Sequence, residues 1–143
     1  MKIKTAKLGE IEIDENNIIS FNPGLLAFED LSSYALLDIN ETPDFKWLQS
    51  LQNHDLAFLL VDPFTIKGDY TVELNDDIVA KLEIAVPEDV LVYSIVTVPA
   101  SGLKNATTNL VGPLVINWTR KKAQQVIFEK ENEFIRYPLL AAQ

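Results

Sequence analysis

With 143 residues, 48% of them hydrophobic, the chain is sized for one domain around one core, and residues 1–143 are read as a single domain. The absence of cysteine excludes disulfide stapling, thiolate catalysis and sulfur-ligated metal sites. A net charge of −9 argues against direct binding of nucleic acid, which calls for basic surface that displaces counterions from phosphates.

The charge is unevenly placed. Eleven acidic residues against two lysines fall between Glu29 and Asp77, and this stretch holds the entire excess. Its natural counterpart is a basic protein, although acidity also serves plain solubility. Met1 to Thr5 lead directly into polar sequence, without the apolar segment of an export signal. The longest apolar run, Leu56 to Val61, is about a third of the roughly twenty residues that a membrane-spanning helix requires. The expectation is a cytoplasmic protein away from the membrane.

In chain order, alternate isoleucines at 11 and 13, then Ile19 and Phe21, with Gly9 and Asn16-Asn17 at the turns, predict three short antiparallel strands over 2–8, 10–14 and 17–21. Asn22-Pro23-Gly24 then turns the chain, since proline presets φ and glycine accepts positive φ. Further strands are expected over 34–39, 45–51, 56–62, 69–74, 90–98, 114–118 and 123–128. The β-branched run over 90–98 belongs at the centre of the sheet. One short helix follows Asn75, with Asn75 as its cap, Asp76 and Asp77 at its positive end, and Ile78, Val79 and Leu82 on one face. Pro87 disfavours its continuation, and it is expected to cover a barrel end. Repeated short strands give an all-β fold: a small, partly closed antiparallel β-barrel with one short helix. The last five residues, Leu139 to Gln143, either dock or fray.

Chemistry-bearing patterns are sparse. His54 is the single histidine, in a polar turn, and no nucleophile elbow accompanies it. The acidic pairs Asp14-Glu15, Glu29-Asp30, Asp76-Asp77 and Glu88-Asp89 lie at turns and helix starts, without calcium-loop spacing. The five glycines are scattered singly, which leaves no phosphate cradle and no expected cofactor. Arg120-Lys121-Lys122 reads as a solvated hairpin turn. Among the aromatic residues near strand ends (Phe21, Phe28, Trp47, Phe64, Trp118), core packing is the default. Phe64 is the exception: Asp62-Pro63 ends a strand before it, so its ring either caps the barrel or anchors a partner.

Residues 19–29, Trp47-Leu48-Gln49-Ser50 and Asp55-Leu56-Ala57-Phe58 resemble the flagellar assembly factor FliW family. Val61-Asp62-Pro63-Phe64 is similar to that family's strand-ending motif, and Thr108 to Asn117 to its most distinctive stretch. Ala123 to Ile127 follows at the expected distance, so the likeness covers nearly the whole chain in order.

The resemblance implies a β-barrel-like protein without enzymatic activity that binds flagellin in the cytoplasm and also binds the translational repressor CsrA. Unexported flagellin then occupies the protein and leaves CsrA free to repress. Export frees the protein to capture CsrA. CsrA is antagonised either by covering its RNA-binding surface or by binding beside it and disfavouring the RNA-competent state, the resemblance leaning to the second. Expected partner-binding residues are Asn22, Pro23, Gly24 and Phe28 in the first turn, Asp62, Pro63 and Phe64 at the strand end, and Asn109, Leu110, Gly112 and Pro113. All lie where strands end, the usual place for binding function on a β scaffold, although Asn109 and Gly112-Pro113 suit purely structural turns equally. The alternative is a small-ligand-binding β-barrel, whose signature is an apolar cavity of a few hundred cubic ångströms inside the barrel. A carboxylate-dependent hydrolase is the third possibility, and it requires acids with perturbed pKa.

Overall fold

The computed structural model describes residues 1–128 and 132–140. Eleven strands appear among them in chain order: β1 Lys2–Thr5, β2 Gly9–Glu12, β3 Ile18–Phe21, β4 Ser33–Asp38, β5 Phe45–Ser50, β6 Ala57–Val61, β7 Val90–Thr97, β8 Thr107–Thr108, β9 Leu114–Asn117, β10 Lys122–Gln125 and β11 Tyr137–Pro138. Helices α1 (Pro63–Ile66) and α2 (Asp76–Lys81) lie between β6 and β7.

Strands β3 to β7 form an antiparallel meander, and β9 and β10 complete the ring. Val90 to Tyr93 of β7 pair with β9, while Ser20 and Phe21 of β3 pair in parallel with Lys122 and Ala123 of β10. The expected small, mainly antiparallel β-barrel is borne out: seven strands close the ring, and one seam, between β3 and β10, is parallel. Closure removes the two exposed edges that an open sheet would carry.

Period-2 alternation sorts the side chains. Ile19 and Phe21, Tyr34 and Leu36, Leu48, Leu60, Leu114 and Ile116 are buried together as the core. The β1–β2 hairpin forms its own two-stranded sheet. Its Ile3, with Ile13 just beyond the hairpin, packs on Ala35, on the opposite face of β4 from Tyr34 and Leu36. Hence β3 joins the barrel rather than continuing a three-stranded N-terminal sheet. A third cluster gathers Val61, Val96, Ala106 and Leu139. Leu139 thus docks, its N–H donating to the Ala106 carbonyl at 2.9 Å, whereas residues 141–143 lie outside the described residues.

β7 is central, as its composition suggested. One edge carries β6, and the other carries β8 and β9. The β6 ladder reaches only residues 94–96 of β7, and the segment 69–74, where a strand was expected, does not extend it. Those residues form no ladder, although their burial alternates as in a strand. The single expected helix becomes two. Asp62 caps α1 by accepting from the Phe64 N–H at 2.9 Å, and Pro63 occupies its first turn, where a missing N–H costs nothing. The α2 cap is as expected: Asn75 Oδ1 accepts from the Ile78 N–H at 2.9 Å. Its C-terminal end is tied to the end of β9, where the buried Asn117 amide donates to the carbonyls of Leu82 at 2.8 Å and Glu83 at 3.1 Å.

Candidate functional site

The first turn is tightly built. Ring and backbone converge there: the Phe28 N–H donates to the Leu25 carbonyl at 2.7 Å, and the Leu31 N–H to the Phe28 carbonyl at 3.0 Å. A Cβ on Gly24 would lie 2.5 Å from the Leu31 carbonyl oxygen and 2.6 Å from that of Phe28, so only glycine fits. Asn22 and Pro23 are exposed and joined by a cis peptide bond. Phe28 is partly exposed and stands edge-to-face on Phe58, with ring centroids 5.4 Å apart. Leu26, which the sequence did not single out, is the most exposed large apolar side chain, at 68%.

Asn109 to Pro113 is a bulge rather than an open loop. Thr108 pairs with Val96 and Leu114 with Tyr93, so five residues face the two of β7 that lie between. β8 and β9 are in effect one interrupted strand. Asn109 Oδ1 accepts from the N–H groups of Val111 and Gly112, both at 3.0 Å, and so acts as a turn-stabilising amide. Leu110, Gly112 and Pro113 are buried, which places their side chains in packing rather than at the surface.

At the third position, α1 lifts Phe64 to 42% exposure, while Pro63 is buried beneath it. The Phe64 ring leans on Tyr70, centroid to centroid 5.6 Å. Beside it runs an apolar groove of about 690 Å³. Val72 and Leu74 form one wall, Ile84 and Val86 the other, and Val90 and Val92 of β7 lie along it. Leu91 and Tyr93 point inward to the core, so the groove lies on the outside of the barrel.

Two side chains that sequence reasoning missed join these three places. Gln125 of β10 accepts from the Leu26 N–H at 2.9 Å and donates to the Gly112 carbonyl at 3.0 Å, bridging first turn and bulge. Tyr70 donates its hydroxyl to the Leu110 carbonyl at 2.6 Å, bridging bulge and Phe64 corner. The candidate residues thus form one connected path, although they are not one open surface.

The remaining chemistry is consistent with binding. Hydrogen bonding to Lys67 holds the Asp69 carboxyl below its usual range, Lys122 does the same for Glu83, and the Thr119 hydroxyl does so for Asp89. Each is stabilised as the anion, the opposite of an acid poised to donate. His54 is exposed in the β5–β6 turn, where its carbonyl accepts from Gln49 Nε2 at 3.1 Å. Among the described residues, no group of three His, Asp or Glu is placed to hold a metal ion. The core side chains Ile19, Phe21, Tyr34, Leu48, Leu60, Leu114 and Ile116 point into the barrel interior and are fully buried there, whereas the apolar groove lies outside it. No helix among the described residues is long and apolar enough to cross a membrane.

The family model for the FliW protein matches residues 2–139. The flagellar assembly factor FliW of Syntrophus aciditrophicus is 44% identical over 140 residues, covering 98% of this chain and 88% of that protein. Its counterpart from Caldicellulosiruptor saccharolyticus is 40% identical over 137 residues, covering 96% and 89%. A crystal structure of the flagellar assembly factor FliW superimposes with a TM-score of 0.89 at 32% identity, over 100% of this chain and 99% of that one. Sequence and fold agree along the full length, and the chain belongs to the FliW family of flagellar assembly factors.

Proposed function

We propose that the protein is a non-enzymatic regulator that binds flagellin in the cytoplasm and antagonises the RNA-binding translational repressor CsrA, so that flagellin synthesis follows its export. The observation that carries this reading is the full-length membership of the FliW family, sequence and barrel together. The charge distribution supports it. The acidic residues between Glu29 and Asp77 are exposed, apart from the half-buried Asp62, and an RNA-binding protein needs the complementary basic surface. The partner-binding residues of this reading are Asn22, Pro23, Gly24 and Phe28, then Asp62, Pro63 and Phe64, then Asn109, Leu110, Gly112 and Pro113. Of these, Phe28 and Phe64 offer exposed aromatic area, and the glycines and Leu110 hold the backbone that presents it.

The experiment is capture of the tagged protein's partners from lysate of its own organism at moderate salt, with identification by mass spectrometry. Flagellin and CsrA in separate complexes, with added flagellin displacing CsrA, are the expected result. Recovery of neither would remove this function while leaving the family assignment in place.

A further inference from the structure

The groove beside Phe64 carries a feature that packing alone does not explain. Tyr70, Val72 and Leu74 turn inward while Asp69, Thr71, Glu73 and Asn75 are exposed, the period-2 pattern of a strand with one covered face. Yet the backbone groups of Thr71 to Leu74 make no hydrogen bond within the chain among the described residues. The nearest long strand, β7, pairs with β6 at residues 94–96 on one edge and with β9 and β8 at 90–93 and 96–97 on the other, and no ladder includes Thr71 to Leu74. The segment is therefore patterned as a strand and lacks a partner.

Its surroundings select what would pair with it. The groove that Val72 and Leu74 line is apolar, and the exposed Phe64 and Val86 side chains stand at its margins. Around it the charge is one-sided: residues 62–90 hold eight carboxylates against Lys67 and Lys81. Lys67 is engaged with Asp69, whereas Glu73, Asp76, Asp77 and Glu88 form no ion pair among the described residues.

We propose that Thr71–Leu74 is an open strand edge that receives an extended, basic segment of a partner protein. The segment pairs with it through main-chain hydrogen bonds, sets alternate apolar side chains into the groove, and turns its cationic residues toward Glu73, Asp76 and Asp77. This rests on the reading of the chain as a protein-binding factor, and it adds the mode and the chemistry of one contact. Main-chain pairing supplies affinity, the groove selects apolar residues at every second position, and the carboxylates reject acidic segments.

The probe is a short synthetic peptide alternating valine and lysine, with binding followed by fluorescence anisotropy and the contact mapped by amide hydrogen exchange. The expected result is slowed exchange at Thr71 to Leu74. The double variant Glu73→Lys with Asp76→Lys should weaken binding about tenfold while the thermal midpoint stays in place. Methylating alternate backbone nitrogens of the peptide distinguishes pairing from simple greasy contact. Of the two complementary methylation patterns, one should abolish binding and the other spare it, because neighbouring N–H groups of a strand point to opposite sides.

Absence of binding, protection mapping elsewhere, equal tolerance of both methylation patterns, or tighter binding of the same side chains on a helix would each overturn the proposal. If the peptide fails while flagellin and CsrA are still captured from lysate, the groove contact falls alone. If neither protein is captured but the peptide behaves as described, the groove contact stands and those partners fall.

Discussion

The Tyr70 hydroxyl and the Leu110 carbonyl, 40 residues apart in the chain, meet at 2.6 Å in a buried hydrogen bond. This contact ties the segment before α2 to the bulge that interrupts the β8–β9 strand. Tyr70→Phe removes the donor and leaves a buried carbonyl poorer by one partner, at a cost of about 1–3 kcal/mol. The expected outcome is a thermal midpoint several degrees lower, together with faster amide exchange at Val111 and Gly112. Burial also pushes the Tyr70 phenol up to about 12.

Phe64 separates binding from stability. Phe64 is 42% exposed and its ring rests on Tyr70, so Phe64→Ala should cost under about 1 kcal/mol. Phe21→Ala, deep in the barrel, should cost about 3–5 kcal/mol. Partner capture alongside thermal melting checks the pair: Phe64→Ala is expected to weaken one partner with a nearly unchanged midpoint. A fall matching that of Phe21→Ala would make Phe64 a core residue instead.

Tyr34 is a barrel-core side chain whose hydroxyl finds no hydrogen-bond partner among the described residues. Tyr34→Phe should therefore be neutral or stabilising, by up to about 1 kcal/mol. The same burial raises its pKa to about 12, so the folded state keeps a proton that the unfolded chain releases near 10. The unfolded state then binds fewer protons between those values, and stability falls as pH rises from 10 toward 12. Chemical denaturation across alkaline pH should show that fall, and a smaller one in Tyr34→Phe.

In acid the sign reverses. Asp69, Glu83 and Asp89 titrate below their ordinary values of 3.8, 4.5 and 3.8 because Lys67, Lys122 and Thr119 favour their charged forms. Their contribution is present above those values and is lost as pH falls through the lower folded-state pKa. Asp69 and Glu83 are exposed and Asp89 is half-buried, so the effect should be small and weakened by salt. Lys122→Met should flatten the acid limb of the stability profile by removing the partner of Glu83.

The two glycines of the candidate site should respond unequally. Gly24→Ala drives a Cβ to 2.5 Å from a backbone oxygen that cannot move freely, and a loss of more than about 3 kcal/mol is expected. Gly112→Ala meets the tip of Gln125 at 2.9 Å, a side chain able to swing away. That variant should fold at a smaller cost but release the Leu26 N–H, seen as faster exchange in the first turn. Melting and amide exchange on both variants test this.

The barrel strands were legible because a covered sheet face imposes period 2, which Ile19-Phe21, Tyr34-Leu36 and Leu114-Ile116 display locally. A barrel was legible, but not the seam that closes it. The parallel seam joins Ser20 to Lys122, and no pattern within either strand specifies so remote a partner. The same locality explains the supposed strand over 69–74, whose alternation is real but which joins no ladder. Helix α1 is a single turn, too short for periodicity, although Asp62-Pro63 carried its cap. Turn chemistry located Phe28 and Phe64 at the surface. Leu110, Gly112 and Pro113 turned out buried because a bulge inside a closed sheet has neighbours on every side. Gln125 and Tyr70 gave no signal, since a lone amide or phenol in an alternating segment does not announce what it will reach.

The parallel seam also orders events in time. Residues 20 and 122 must meet before the ring exists, and everything between them must already have been synthesised. Such a topology is rich in contacts distant along the chain, which slows folding relative to a hairpin-by-hairpin architecture. While the ribosome is still making the second half, β3 has one free edge, Tyr34 and Phe21 face water, and Gln125 has not yet arrived to hold Leu26. A nascent chain of this protein is thus unable to present its finished first turn until β10 has been made.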